Sequence, residues 1–372
     1  MKTLPNVNLW ELGLNNDDPL YSLLKLEEFG SAFYKMRDQK PVISALPDHW
    51  NEKAKELLTA GRQNGFSQVC AAFETFGRCL VPNDFLVLWL AAEIQKSFTY
   101  DNQVGVLFDP TTGFFDKPKL GRSMLFLDPY QVDSVLAAVG SSKNQIEFGY
   151  FEPHISFFPS ADPSTQLYRM TKFTRSPSQK KTHKVSAQKW TDLMAQTTLL
   201  QSSSMLGLAT RVLEMATTHA QNRVVSGQPI GRYQAISHPL VDMLVSVEKL
   251  RSTILYAAET HGSSEFYASV AMAKSMANRF AVENTQKAIQ IFGAKGFQWD
   301  FPLNFFLRRS LVGATLFGTA QEHNSYFVAS VVKRKKTSKT KTAAEREESH
   351  INLASITTAK AGGKSGSKEV FQ

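Results

Sequence analysis

Four long helical stretches most constrain what this chain can fold into. They cover about residues 186–222, 233–261, 264–292 and 302–332, and are separated by short turns written in Gly and Pro: SGQPIG, HGSS and GAKGFQWDFP. In the second stretch Leu240, Met243, Leu244, Val247, Leu250, Ile254 and Leu255 recur at intervals of three and four, which sets one apolar face along a helix. At 1.5 Å of rise per residue the first stretch would be on the order of 50 Å long. Helices of that length with turns this short run back against one another, so residues 186–332 are read as an antiparallel four-helix bundle.

The rest of the chain divides by period. Residues from about 19 to 96 read as a helical N-terminal domain, with Trp50, Ala54, Leu57 and Leu58 at helical spacing. Val69, Ala72, Phe73, Phe76 and Leu80 continue the pattern to Pro82, and a further apolar helix runs from Phe85 to Ile94. The period then shortens. QVGVLF (103–108), RSMLFLD (122–128), QIEFGYF (145–151), HISFF (154–158) and QLYRMTK (166–172) are aromatic or β-branched runs bounded by Pro, Gly, Asp and Asn, as in a small β domain. The polar, basic SPSQKKTHK (176–184) reads as a linker. The fold class is therefore α+β and mainly α: an N-terminal helical domain (1–98), a middle β domain (99–185), the bundle (186–332) and a tail (333–372).

Charge narrows the partners less than its size suggests. The 372 residues carry a formal +9, yet from Lys333 to Gln372 ten Lys and Arg stand against four Glu, so the tail holds +6 of it. The tail is rich in Lys, Thr, Ser, Ala and Gly, too poor in large apolar residues to offset its ordering entropy, and reads as disordered. Nucleic acid ranks lowest among the partners. No apolar run approaches the roughly 20 residues that span a bilayer, and the N-terminus lacks the apolar core of a secretory signal, so a cytoplasmic protein without a membrane span is expected. Cys70 and Cys79 are too few for a disulfide framework and read as buried free thiols. The eight His show no metal spacing. His238 before Pro239 reads as part of a turn, His323 as structural, and GSSE (262–265) as a helix start with Ser as N-cap.

The turns carry more than architecture. Arg223-VVSG-Gln228-Pro229-Ile230-GR-Tyr233-Gln234, Gln290-Ile291-Phe292-Gly293-Ala294-Lys295-Gly296-Phe297, the set Asp300, Pro302 and Arg308, and Phe317-Gly318-Thr319-Ala320-Gln321 follow in this order. Together with FETFGRCLVP (73–82) and VDSVLAAVG (132–140) they resemble the acyl-CoA dehydrogenase family over roughly residues 45–332. The resemblance implies FAD held between subunits, hence a homologous subunit in a dimer or tetramer, and an acyl-CoA substrate. It assigns Arg223 to the pyrophosphate, the amides of Gln234 and Gln290 to polar atoms of the cofactor, and Gly293 and Gly296 to close backbone approach, with Thr319 and Gln321 completing the contact. Taken singly, Arg223 reads as a helix C-terminal charge, the Gly pair as a turn and Gln234 as a solvated cap.

The family's chemistry needs a carboxylate base to take the substrate's α-proton. The usual base position is Phe317, the alternative falls at Thr197, and the Arg that commonly follows is Thr198. No catalytic residue is therefore assigned. Asp192 is the nearest acid and reads better as a first-turn charge complementing the helix dipole. The flavin and substrate loop of the family survives only as VGVLFDPTTG (104–113). The expectation is an FAD-dependent acyl-CoA dehydrogenase relative acting as the base-lacking subunit of a hetero-oligomer. Alternatives are a non-catalytic structural partner of the same fold and, last, a nucleic-acid-associated flavoprotein.

Overall fold

The computed structural model describes residue 59 and residues 65–81, 84–95, 104–107, 125–127, 134–152, 154–158, 160–162, 167–175, 182–298 and 301–333. The expected helices before residue 59, the basic tail from residue 334 and Asp300 lie outside them.

Helices α1 (Phe66–Arg78) and α2 (Asp84–Gln95) come first. Seven short strands follow: β1 (Val104–Val106), β2 (Leu125–Leu127), β3 (Ser134–Ser141), β4 (Gln145–Phe151), β5 (His154–Phe158), β6 (Leu167–Lys172) and β7 (His183–Ser186). They form two sheets, ordered β1-β3-β4-β7 and β2-β6-β5. All neighbours are antiparallel except β1 and β3. The supposed linker thus ends in a strand, because Lys184 and Val185 pair with Glu147 and Ile146. Val185 is buried while its neighbours face outward, an alternation too short to stand out in a basic segment.

Helix α3 (Ala187–Asn222) starts directly from β7, with the Ser186 hydroxyl accepting from the Lys189 N–H. Its Trp190 packs on Phe148 of β4 at 5.3 Å between ring centroids, which seats the sheet against the bundle. Helices α4 (Gln234–Glu259) and α5 (Phe266–Phe292) run beside it. The expected fourth helix is two: α6 (Leu303–Gly313) and α7, residues 320–333. Phe317 (φ 59°) and Gly318 (φ 98°) adopt left-handed backbone between them, which no helix continues through. Contacts divide the chain after Asn324.

Further expectations change with the fold. His238 and Pro239 lie inside α4 rather than in a turn. No Ser caps α5: its N-cap is Glu265, and Ser263 accepts from the Glu265 N–H at 3.1 Å. On α4, Met243, Val247, Leu250 and Ile254 are buried, whereas Leu244 is exposed beside Val241 and Val245, so the helix carries two apolar stripes. Cys70 is buried, and burial pushes its thiol up to about 12; Cys79 is half-buried, with burial raising it to about 11.

Two contacts fix α1 on the bundle. Gly77 faces Ser204 and Gly207 faces Glu74 so closely that a Cβ built on either glycine would lie 1.7 or 1.8 Å from a backbone carbonyl oxygen. Beside them the Arg251 guanidinium of α4 donates to the Glu74 carboxylate at 2.6 Å, both groups being buried.

Candidate functional site

At the far end of α3 the chain reverses through a two-residue turn. Ser226 (φ 51°) and Gly227 (φ 82°) both have positive φ, and strands β8 (Val224–Val225) and β9 (Gln228–Pro229) pair across them. This is the turn chemistry that favours Gly at its second position. The ribbon anchors Arg223, whose N–H reaches His219 O and whose carbonyl accepts from Ile230 N–H at 2.8 Å each. The Tyr233 hydroxyl donates to Val225 O at 3.0 Å, and Gln234 opens α4.

The C-terminus of α5 meets this ribbon. His219 stacks on Phe292 at 4.1 Å, and Gly293 terminates α5 with φ 65°. A Cβ on Gly293 would meet nothing within 4 Å, so its backbone faces open space, whereas one on Gly296 would press on the Ile289 backbone at 3.1 Å. The two glycines therefore differ: Gly293 is open on its outer side, whereas Gly296 permits close internal packing. Arg223, Gln234 and Gln290 are exposed at this same end. Burial, Lys295 and Arg223 together hold His219 below its ordinary range, which marks the corner as cationic. Exposed donors, a cationic corner and an open glycine backbone fit a pyrophosphate in chemistry.

Thr319 and Gln321 are elsewhere. Asn278 Nδ2 donates to Gly318 O at 3.1 Å, so the Gly-Thr turn meets α5 about 18 Å along its axis from Gln290. Thr319 begins α7 as the first residue of a capping box. Its N–H and hydroxyl donate to Glu322 Oε2 at 2.7 and 2.9 Å, and Glu322 N–H returns to Thr319 Oγ1 at 3.3 Å. These bonds hold the Glu322 carboxyl below its usual range. The Thr-x-x-Glu spacing of Thr319 and Glu322 is the sequence signal of this cap. Gln321 is exposed.

The positions where a base would stand are closed. Phe317 is fully buried. Its carbonyl accepts from His323 Nε2 at 2.7 Å, and burial above all keeps that imidazole at about 4, hence neutral. His323 is structural, as the sequence implied. Thr197 and Thr198 are also fully buried, each hydroxyl donating four residues back, to Leu193 O and Met194 O. Asp192 is not in the first turn of α3; its carboxylate accepts from the Tyr267 hydroxyl of α5 and from Gln188 Nε2.

Nothing in the sequence pointed to Lys274, which is fully buried in α5, donates from Nζ to Gly313 O at 2.8 Å and is brought by burial to about 7. The unfolded chain keeps that proton up to the ordinary lysine value of 10.5, so folding expels a proton between about pH 7 and 10.5 and stability rises across that window. At about 1.4 kcal/mol per unit the rise amounts to several kcal/mol. Urea midpoints measured at pH 7 and 9.5 should show it in the native chain and lose most of it in Lys274→Met. An unchanged pH slope in that variant would contradict the assignment.

A helical segment, two small sheets and a bundle with these turns define the acyl-CoA dehydrogenase fold. Butyryl-CoA dehydrogenase from Megasphaera elsdenii superposes with a TM-score of 0.62 at 17% identity, covering 86% of this chain and 99% of that one. A chain of the ChsE4-ChsE5 complex from Mycobacterium tuberculosis gives 0.63 at 15% identity, covering 86% and 98%. PigA with FAD and proline gives 0.64 at 16% identity, covering 89% and all of that chain.

Residues 191–330 match the family model of the acyl-CoA dehydrogenase C-terminal domain, so this part of the chain is similar to that domain. An acyl-CoA dehydrogenase of Bacillus subtilis (strain 168) is 34% identical over 119 residues, 32% of this chain and 31% of that protein. The mitochondrial short-chain specific enzyme of Bos taurus is 32% identical over 121 residues, covering 32% and 29%. In sequence, the chain spans about a third of the length of the curated relatives it matches.

Proposed function

We propose that this chain is a cytoplasmic, FAD-sharing, base-lacking subunit of an assembly that desaturates an acyl-CoA thioester. The observation that carries the reading is an asymmetry. Arg223, Gln234, Gln290 and Gly293 stand exposed at one end of the bundle, while the base positions are taken by a fully buried Phe317 and a fully buried, hydrogen-bonded Thr197.

In this reading Arg223 holds the pyrophosphate by charge-assisted bonds, Gln234 and Gln290 orient the cofactor through their amides, and Gly293 offers its backbone. Bound FAD supplies the hydride acceptor for the substrate's β-carbon. Proton removal from the α-carbon falls to a carboxylate on a homologous partner chain, since neither the Phe317 ring nor the Thr197 hydroxyl, which donates to Leu193 O, offers a base here. Thr319 is spoken for by Glu322, so its cofactor role requires opening the capping box, and it is the weakest of the proposed contacts.

Flavin content tests this directly. The chain co-purified with its homologous partner should carry FAD, and Arg223→Ala should lower that content several-fold with the melting temperature held. Full flavin retention in a folded Arg223→Ala protein, or a strictly monomeric chain with and without the partner, would remove the basis for the reading.

A further inference from the structure

At the end of α3 opposite the turn motifs lies a cavity of about 700 Å³. Asp192 and Arg223 are separated by about 45 Å of helix, so this is not the corner described above. It also lies on a different face of α3 from Thr197. Gln188, Asp192 and Gln196 recur every four residues and line it, whereas Thr197 and Thr198 are fully buried in packing.

The lining is chemically specific. On one side are rings: Phe66 lies 6.3 Å from Trp89, 4.8 Å from His261 and 6.2 Å from Phe266, centroid to centroid. On the other are two carboxylates and one ammonium. Lys189 Nζ sits 3.6 Å from Glu93 Oε2, so that charge is matched. Asp192 accepts only from neutral donors, the Tyr267 hydroxyl and Gln188 Nε2, and no cation among the described residues pairs with it. Burial, then the Lys189 ammonium, keep His261 below its ordinary range, so it adds no positive charge near neutrality.

Two further polar groups have nothing to bond. The Trp89 indole N–H is buried without a partner, in a residue only 3% exposed. Gln196, 5% exposed, lines the cavity, and its amide has no partner among the described residues. A buried donor is costly to leave unmet, about 1–3 kcal/mol, so the Trp89 N–H calls for an acceptor that the fold does not supply, and the Gln196 amide lines the same cavity.

We infer that this cavity binds a small organic ammonium compound that also carries an oxygen acceptor, of the amino-acid amide or amino ester kind. The ammonium sits against Asp192 and the ring wall, where a carboxylate and aromatic faces reinforce each other. The oxygen accepts from the Trp89 N–H and the Gln196 amide, and the hydrocarbon body lies along Phe66 and Phe266. The inference is independent of the cofactor reading, since the two sites share no residue.

The test uses the full chain and L-phenylalaninamide as probe, with N-acetyl-L-phenylalaninamide removing the cation and 3-phenylpropanoate inverting the charge. Calorimetry supplies the affinities, and the Trp89 indole N–H resonance, assigned through Trp89→Phe, reports the place. The charged amide should shift that resonance saturably and bind at least ten-fold more tightly than either control. Asp192→Asn should cost at least ten-fold in affinity, and Gln196→Leu several-fold, with flavin content unchanged in both. Absence of a saturable shift, equal binding of the acetylated probe, preference for the anion, or undiminished binding by a folded Asp192→Asn protein would each overturn the inference. Should Asp192→Asn fail to fold, the three-probe comparison and Gln196→Leu decide it alone.

Discussion

Gly207→Ala should destabilise the protein by more than the roughly 1–3 kcal/mol usual for an overpacked core. The added methyl would sit 1.8 Å from Glu74 O, 2.7 Å from its carbonyl carbon and 2.9 Å from Arg78 N, all of them backbone atoms of α1. A flexible side chain could swing away, but a helix backbone cannot without moving as a body. The two helices would have to separate by more than 1 Å along a seam that also holds Gly77 against Ser204 and Glu74 against Arg251. Gly77→Ala should behave alike, since its Cβ would lie 1.7 Å from Ser204 O. Because both substitutions act on one seam, their effects in combination should fall well short of additive. Thermal and denaturant melts check this; a melting temperature within a degree of the native protein for either variant would show that α1 is not seated on α3 as described.

The second large effect is expected at Arg309. Its guanidinium donates from Nε to Asp162 Oδ2 at 2.5 Å, from Nη1 to Val81 O at 2.8 Å and from Nη2 to Leu80 O at 3.3 Å. Arg309 is 3% exposed and Asp162 is fully buried, so one side chain of α6 ties the end of α1 to the segment between β5 and β6. Leu80 itself holds a positive φ of 54°, which the two carbonyl contacts help fix. Asp162→Ala strands a buried cation, and removing one partner of such a pair costs about 3–5 kcal/mol, a fall in melting temperature on the order of 10 °C. Arg309→Met removes the charge but leaves Asp162 buried and two carbonyls without their donor, so it should cost as much. A loss below about 1 kcal/mol in either variant would mean the pair is solvated.

The parts of this structure legible in the sequence were those written in local periods. QIEFGYF became β4 with the same ends, Ser186 caps α3, and Gln234 and Gly293 sit at a helix start and a helix end. The turn motifs also identified the bundle correctly. What escaped depends on residues far apart in the chain. Asp192 and Tyr267 meet across 75 residues, Arg309 and Asp162 across 147, and Lys274 faces Gly313 across 39. No local pattern encodes such pairings. The break between α6 and α7 was readable in part, because Thr319 and Glu322 have capping-box spacing, but the apolar period continuing through Leu316 and Phe317 hid it. The second apolar stripe of α4 failed for a different reason: periodicity reports that a face is apolar, not whether the chain's own residues cover it.

The most direct measurement of the central claim is anaerobic mixing of the full chain, supplied with FAD, with a series of acyl-CoA thioesters while the visible flavin band is followed. With no carboxylate at Phe317 or Thr197, and a positioned base worth about 10²- to 10⁴-fold, the flavin should stay oxidised with this chain alone and bleach once the homologous base-bearing partner is present. Rapid bleaching by the isolated chain would contradict the account, and its loss in Asp192→Asn would place the base at that carboxylate.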